Sequence, residues 1–132
     1  MDAPAHWGVA GYPISHSVTP KLFSIVGDAM GLVQAEQIFV EASSEGEFYS
    51  KVEALEGDIG LSCTAPLKHS PHSRLGVQGP VGVNAINQLM RSNGVWKGAS
   101  TDGAGFVSAC RHIGVEPSGS ILRMRGLSLI HI

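Results

Sequence analysis

The sequence predicts an α/β fold: a three-layer sandwich with a mostly parallel sheet, one antiparallel strand pair in a hairpin, and helices on both faces. Three observations point there. Short apolar runs alternate with segments of helical periodicity in the first half of the chain. Helix-start and helix-stop residues flank those segments. A Ser92-Asn93-Gly94 turn separates two later apolar runs, which is a hairpin signal.

Each element follows from local residues. Trp7-Gly8-Val9-Ala10-Gly11 reads as the first strand, stopped by Gly11-Tyr12-Pro13. Thr19-Pro20 predicts a helix start, with Thr19 as N-cap and Pro20 at the first helical position. Leu22, Phe23, Ile25, Val26, Ala29 and Met30 follow at helical spacing, and Gly31 stands where a left-handed terminus belongs. Gln37 to Val40 is the second strand. Ser44-Glu45-Gly46-Glu47 is a capping box, with Phe48, Val52 and Leu55 on one face of the helix behind it. Asp58 to Cys63 is the third strand. Ala85 to Arg91 and Val95 to Gly98 form the hairpin. A last helix follows Thr101-Asp102-Gly103 and closes at Gly114; Ile121-Leu122 begins a further strand.

Composition narrows the function. The chain has 132 residues, enough for one domain with its own core. Its net charge is −2 and only 15% of residues are charged, so nothing provides an electrostatic grip on nucleic acid or anionic lipid. No apolar run reaches the length of about 18 residues that a spanning helix needs. The N-terminus has no secretory leader pattern, and two cysteines, Cys63 and Cys110, make no disulfide scaffold; both read as small buried hydrophobes in a cytoplasmic protein. Glycine is abundant at 17 residues and dispersed, as expected of many tight loops.

In such a sheet, ligands sit beyond the carboxyl ends of the strands. Three polar segments leave strands there: Ser15 to Thr19, Ser62 to Lys68, and Ser100 to Asp102, with Asn87 near them. Ser17 and Thr19 place hydroxyls at a helix N-terminus, which suits a carboxylate or phosphate; alternatively Thr19 only caps its helix. Lys68 is either a solvated surface cation or a proton-transfer group tuned by partial burial. Asp102 either caps the last helix or faces Lys68 and holds it in the ammonium form. His69 and His72 lack a Cys, Asp or Glu at ligand spacing, and Pro71 breaks a helical i, i+3 pair, so no metal site is expected. Cys63 lies mid-strand, which favours packing over nucleophilic chemistry.

Taken together, these segments resemble the shikimate dehydrogenase family, specifically its N-terminal substrate-binding domain. Gly11-Tyr12-Pro13-Ile14-Ser15-His16-Ser17-Val18-Thr19-Pro20 is similar to G-N-P-I-x-H-S-x-S-P. Ser62-Cys63-Thr64-Ala65-Pro66-Leu67-Lys68 is similar to N-V-T-x-P-x-K. Ala85-Ile86-Asn87-Gln88-Leu89 is similar to A-V-N-T-L, and Gly98 to Gly103 to G-x-N-T-D-G. The resemblance implies NADP-dependent reduction of 3-dehydroshikimate to shikimate, in the route to chorismate and aromatic amino acids. It implies that Ser17 and Thr19 hold the substrate carboxylate. Thr64, Lys68, Asn87 and Asp102 would bond the ring hydroxyls, Lys68 would exchange the proton at the C3 oxygen, and Asp102 would orient Lys68.

The chain departs from the pattern at Tyr12, Thr19, Phe23, Ser62, Gln88 and Ser100. Those departures leave a quinate/shikimate dehydrogenase paralogue as an alternative. A non-catalytic module binding a hydroxylated cyclic carboxylate is another. Residues 1–117 are expected to be the substrate-binding domain. Residues 118–132 are expected to be a truncated lead-in to an NADP-binding domain, with an atypical tail and no Gly-x-Gly-Gly. NADP would therefore be bound outside this chain.

Overall fold

The computed structural model describes residues 4–32, 34–70, 72–79, 81–83 and 85–123. Its elements run β1 (His6–Gly11), α1 (Thr19–Met30), β2 (Glu36–Glu41), α2 (Glu45–Glu53), β3 (Ile59–Cys63), β4 (Gln88–Ser92), β5 (Val95–Ala99) and α3 (Asp102–His112). Two 3-10 turns, Leu67–His69 and Ser73–Leu75, lie between β3 and β4. The chain divides into two compact units, 1–100 and 101–132.

In the first unit the five strands form one mixed open sheet in the order β2-β1-β3-β4-β5. β1 pairs in parallel with β2 and β3, and β4 pairs antiparallel with β3 and β5. The two crossovers run in opposite directions from the centre, so right-handedness puts α1 and α2 on opposite faces. Side-chain alternation agrees. Ala10, Val40, Ile59 and Leu61 point to the α2 face and pack with Phe48, Tyr49 and Val52 in the buried core. Trp7 points the other way and stacks on Phe23 of α1, ring centroids 4.7 Å apart.

The α1 face is thinly covered. Gly27 is the one fully buried residue of α1, and a side chain there would collide with the Trp7 ring. Leu22, Ile25, Val26 and Met30 stay largely exposed, as does Phe39 of β2.

Caps match the sequence with two shifts. Gly31 ends α1 at φ 71°, in the left-handed region. The expected N-cap, Thr19, is already helical; the residue before it, Val18, occupies the cap position, and the Ser17 hydroxyl accepts from the Thr19 N–H at 3.2 Å. The Ser44 hydroxyl caps the Glu47 N–H at 3.3 Å, whereas the Glu47 carboxylate reaches back to Ser43 rather than Ser44. Asn93 and Gly94 both take positive φ in the hairpin turn, as a tight two-residue connection requires. β4 starts at Gln88, three residues later than expected. The Ala85–Asn87 backbone serves other partners: Ile86 N–H bonds Lys68 C=O, and Asn87 N–H bonds Ala99 C=O.

Arg91 ties β4 to the end of α2. Its guanidinium donates to the carbonyls of Val52, Leu55 and Gly57. That satisfies helix-terminal acceptors that would otherwise have no partner.

In the second unit, α3 spans Asp102–His112 and Gly114 follows at φ 81°. Ile121 and Leu122 are exposed and not in a strand, contrary to expectation: among the described residues no strand pairs with their backbone. The tail from Met124 lies outside the described residues. Cys110 is only half-buried, so the expectation of two buried cysteines holds for Cys63 alone.

Gly11 is where the sheet is least forgiving. Its φ is 149°, and a Cβ there would lie 2.5 Å from Thr64 Cγ2 and 2.7 Å from the Ala65 carbonyl. Gly11→Ala is expected to cost about 3 kcal/mol of stability, from backbone strain and collision together, measured by denaturant unfolding.

Candidate active site

β1 and β3 are adjacent parallel strands, so the segments leaving them emerge at one carboxyl edge. Their backbones go on pairing past the strand ends. Thr64 N–H bonds Ala10 C=O at 2.9 Å, and Tyr12 N–H bonds Ala65 C=O at 2.9 Å. This seam sets Tyr12 beside Ala65, and the loops to α1 and to the Lys68 turn both run on from it. Ile14 is buried and anchors the first loop, and Ser17 N–H bonds its carbonyl.

The second loop closes into the 3-10 turn that carries Lys68. Lys68 N–H bonds Thr64 C=O at 2.9 Å, and Lys68 C=O accepts from Ile86 N–H at 2.8 Å. Asn87 C=O accepts from Cys63 N–H at 2.7 Å. Three predicted site residues, Thr64, Lys68 and Asn87, are therefore joined through main-chain bonds. Thr64 is exposed, Lys68 half-buried and Asn87 buried. Ser17 and Thr19 are half-buried at the start of α1. Ser17, not Thr19, has the hydroxyl engaged with the helix, so the alternative in which Thr19 caps is wrong. Asp102 belongs to the second unit, where it is the exposed first residue of α3, and Thr101 occupies its N-cap position.

Sequence reading missed three features. Gly11 permits the close seam, and a lone glycine at a strand end carries no such signal. Ser62 and Gln88 are register partners, and Gln88 Nε2 donates to Ser62 Oγ at 3.4 Å, so two departures from the family pattern sit against each other. His72 is fully buried, although its local sequence reads as a polar loop.

Burial governs the titrating groups nearby. Burial pushes the Cys63 thiol up to about 12, which fits packing rather than nucleophilic chemistry. Burial, with the Glu45 carboxylate beside it, pushes the Tyr49 phenol up to about 12. Burial also lowers His72 from its ordinary 6.5, against the opposing pull of the Leu67 carbonyl and the Glu45 charge. Among the described residues, no group of three His, Cys, Asp or Glu side chains could hold a metal ion, and no helix is long and apolar enough to cross a membrane. Pro71, between the two histidines, lies outside the described residues.

No family-level sequence profile matches the chain. Individual relatives do. The shikimate dehydrogenase (NADP(+)) of Xanthomonas campestris pv. campestris strain B100 is 34% identical over 112 residues, covering 78% of this chain and 37% of that protein. The enzyme of the same name from Rubrobacter xylanophilus is 30% identical over 129 residues, covering 90% of this chain and 43% of its own length. Among solved structures, Mycobacterium tuberculosis shikimate dehydrogenase superposes with a TM-score of 0.71 at 27% identity, over 82% of this chain and 43% of that one. A Listeria monocytogenes shikimate 5-dehydrogenase, solved with shikimate and NAD, gives a TM-score of 0.69 at 24% identity, over 85% and 40%. The fold and these likenesses define an α/β domain homologous to nicotinamide-dependent oxidoreductases. The chain belongs to the shikimate dehydrogenase family, and it spans about two-fifths of the length of the curated relatives it matches.

Gly103 and Gly105 do not form a dinucleotide-binding turn. A pyrophosphate cradle needs a glycine turn where the backbone itself approaches the ligand. Gly103 and Gly105 instead lie inside the first turn of α3, with open space where a Cβ would go.

Two outcomes follow from the burial pattern. At pH 8, iodoacetamide should alkylate Cys110 well before Cys63, and denaturant should abolish the difference, as read by peptide mass spectrometry. The second concerns acid. Because the folded-state pKa of His72 lies below 6.5, its contribution is fully present above that pH and is lost as pH falls towards the folded value. Unfolding free energy should decline as pH falls below 6.5, with a slope from this group of at most about 1.4 kcal/mol per pH unit. Glu47, lowered from 4.5 by the Ser43 hydrogen bonds, acts only in a more acidic window. His72→Phe should flatten the slope just below pH 6.5.

Proposed function

We propose that this chain is the substrate-binding part of an NADP-dependent shikimate dehydrogenase, which interconverts 3-dehydroshikimate and shikimate. One observation carries the reading. Two hydroxyl- and amine-bearing loops leave adjacent parallel strands at the same edge, bound to each other by the Tyr12–Ala65 hydrogen bond. The relatives' names supply the redox class and the cofactor. On this reading residues 1–117 form the substrate domain, residues 118–132 lead into a dinucleotide domain, and NADP is held by a part of the enzyme that this sequence does not contain.

Each residue then has a chemical task. Ser17 and Thr19, at the positive end of α1, hold the substrate carboxylate. Thr64 and Asn87 bond the ring hydroxyls and fix the ring's orientation. The Lys68 ammonium faces the C3 oxygen. Reduction builds negative charge on that oxygen, and a positioned ammonium stabilises the charge and supplies the proton; in oxidation the amine takes it back. The family pattern assigns Asp102 the task of orienting Lys68.

Shikimate titrated into ¹⁵N-labelled chain should shift the amides of Ser17, Thr64 and Lys68 at millimolar ligand. Lys68→Ala should weaken that binding by about tenfold, the loss of one charge-assisted hydrogen bond. With NADP added, no NADPH absorbance should develop. A chain that shifts equally with benzoate, or not at all with shikimate, would refute the reading. A preference for quinate would favour the paralogue.

A further inference from the structure

His72 is an odd residue to bury. It has no exposed surface, and its backbone sits at φ 46°, ψ 26°, in the left-handed region that favours glycine. Its ring meets Phe48 edge-on, centroids 5.8 Å apart. Among the described residues Nδ1 has no hydrogen-bond partner. Leaving a polar nitrogen unpaired in a core is unfavourable, and a non-glycine residue at positive φ adds strain. A simple apolar filler at this place would avoid the first cost entirely.

The other nitrogen accounts for the arrangement. Nε2 lies 2.9 Å from the Leu67 carbonyl oxygen. A carbonyl can only accept, so Nε2 carries the hydrogen and Nδ1 is bare. Leu67 is itself fully buried, and the same carbonyl accepts from Ser70 N–H at 3.0 Å. Both of its lone pairs are therefore used within the turn that carries Lys68. Lys68 is the next residue. Its main chain is held by Thr64 on one side and Ile86 on the other.

We propose that His72 is a positioning residue: its buried Nε2–H, donated to the Leu67 carbonyl, fixes the turn from which Lys68 reaches the substrate. The inference deepens the reading of Lys68 as a substrate-facing group and rests on it. His72 touches no substrate on this account. It sets where the lysine's main chain lies, and with it the arc the ammonium sweeps. The groups facing the imidazole fit that role. Glu45 comes from α2, and Tyr49 lies between it and Arg74, whose guanidinium stacks 5.1 Å from the phenol ring. The bond to the Leu67 carbonyl, which can only accept, fixes the tautomer.

The first test leaves the chain unaltered. Long-range ¹H–¹⁵N spectra should show His72 protonated at Nε2 and bare at Nδ1. A proton on Nδ1 overturns the proposal, because Nε2 could not then donate. The second test compares His72→Phe, which keeps an aromatic volume, with His72→Gln, which restores a donor near Nε2. By hydrogen exchange, His72→Phe should lose about tenfold protection at the Lys68, Ser70 and Ile86 amides relative to the β1–β3 amides, and His72→Gln should recover most of it. Uniform loss across all amides, or none, overturns the proposal. In the shikimate titration His72→Phe should bind about tenfold more weakly and His72→Gln within about threefold of the original. Equal weakening in both variants overturns it too. If the unaltered chain does not bind shikimate, the substrate assignment fails, while the exchange pattern still decides what His72 does to the turn.

Discussion

Two parallel strands that keep hydrogen-bonding after they have ended hold this molecule's polar edge together. The bonds from Thr64 to Ala10 and from Tyr12 to Ala65 carry the β1–β3 pairing into the loops. They work only because Gly11 lets the two backbones nearly touch. Everything chemically interesting in the first unit hangs from that seam. The start of α1 lies further along one strand's exit and the lysine turn further along the other's. Ala42 N–H, bonded to Gly11 C=O at 2.9 Å, links β2 to the same point.

The division of labour between the two sheet faces follows from the strand order. The α2 face holds almost all of the buried apolar side chains, and it also holds His72 and Leu67. The lysine turn is thus rooted in the densest part of the core, where packing tolerates little displacement. The loop bearing Ser17 and Thr19 has a smaller anchor, chiefly Ile14. Burial is therefore concentrated under the turn that carries Lys68, and the loop before α1 has the looser footing.

Much of the fold was legible because its signals are local. Glycine-bounded apolar runs marked β1 and β3, Ser44 and Glu47 marked the start of α2, and Ser92-Asn93-Gly94 marked the hairpin. What could not be read was whatever depends on distant partners. Ala85 to Asn87 has strand composition, yet its amides and carbonyls go to Lys68, Ala99 and Cys63, so the regular ladder begins only at Gln88. Ser17 and Thr19 exchanged roles at the head of α1, since either hydroxyl can satisfy a first-turn amide and only the backbone path decides. The core place of His72 was invisible, because a histidine among serines and prolines reads as solvated loop. The loop residues proposed for the site were legible as a spaced set of motifs; their main-chain connections were not.

The bare stretch of α1 bears on how the chain behaves in water. Leu22, Ile25, Val26 and Met30, together with Phe39 of the sheet, present largely exposed hydrocarbon. Water penalises such a patch in proportion to its area, and contact between molecules relieves the penalty. The outer face of α1 therefore adds nothing to its attachment, which rests on Gly27 and the Trp7–Phe23 stack.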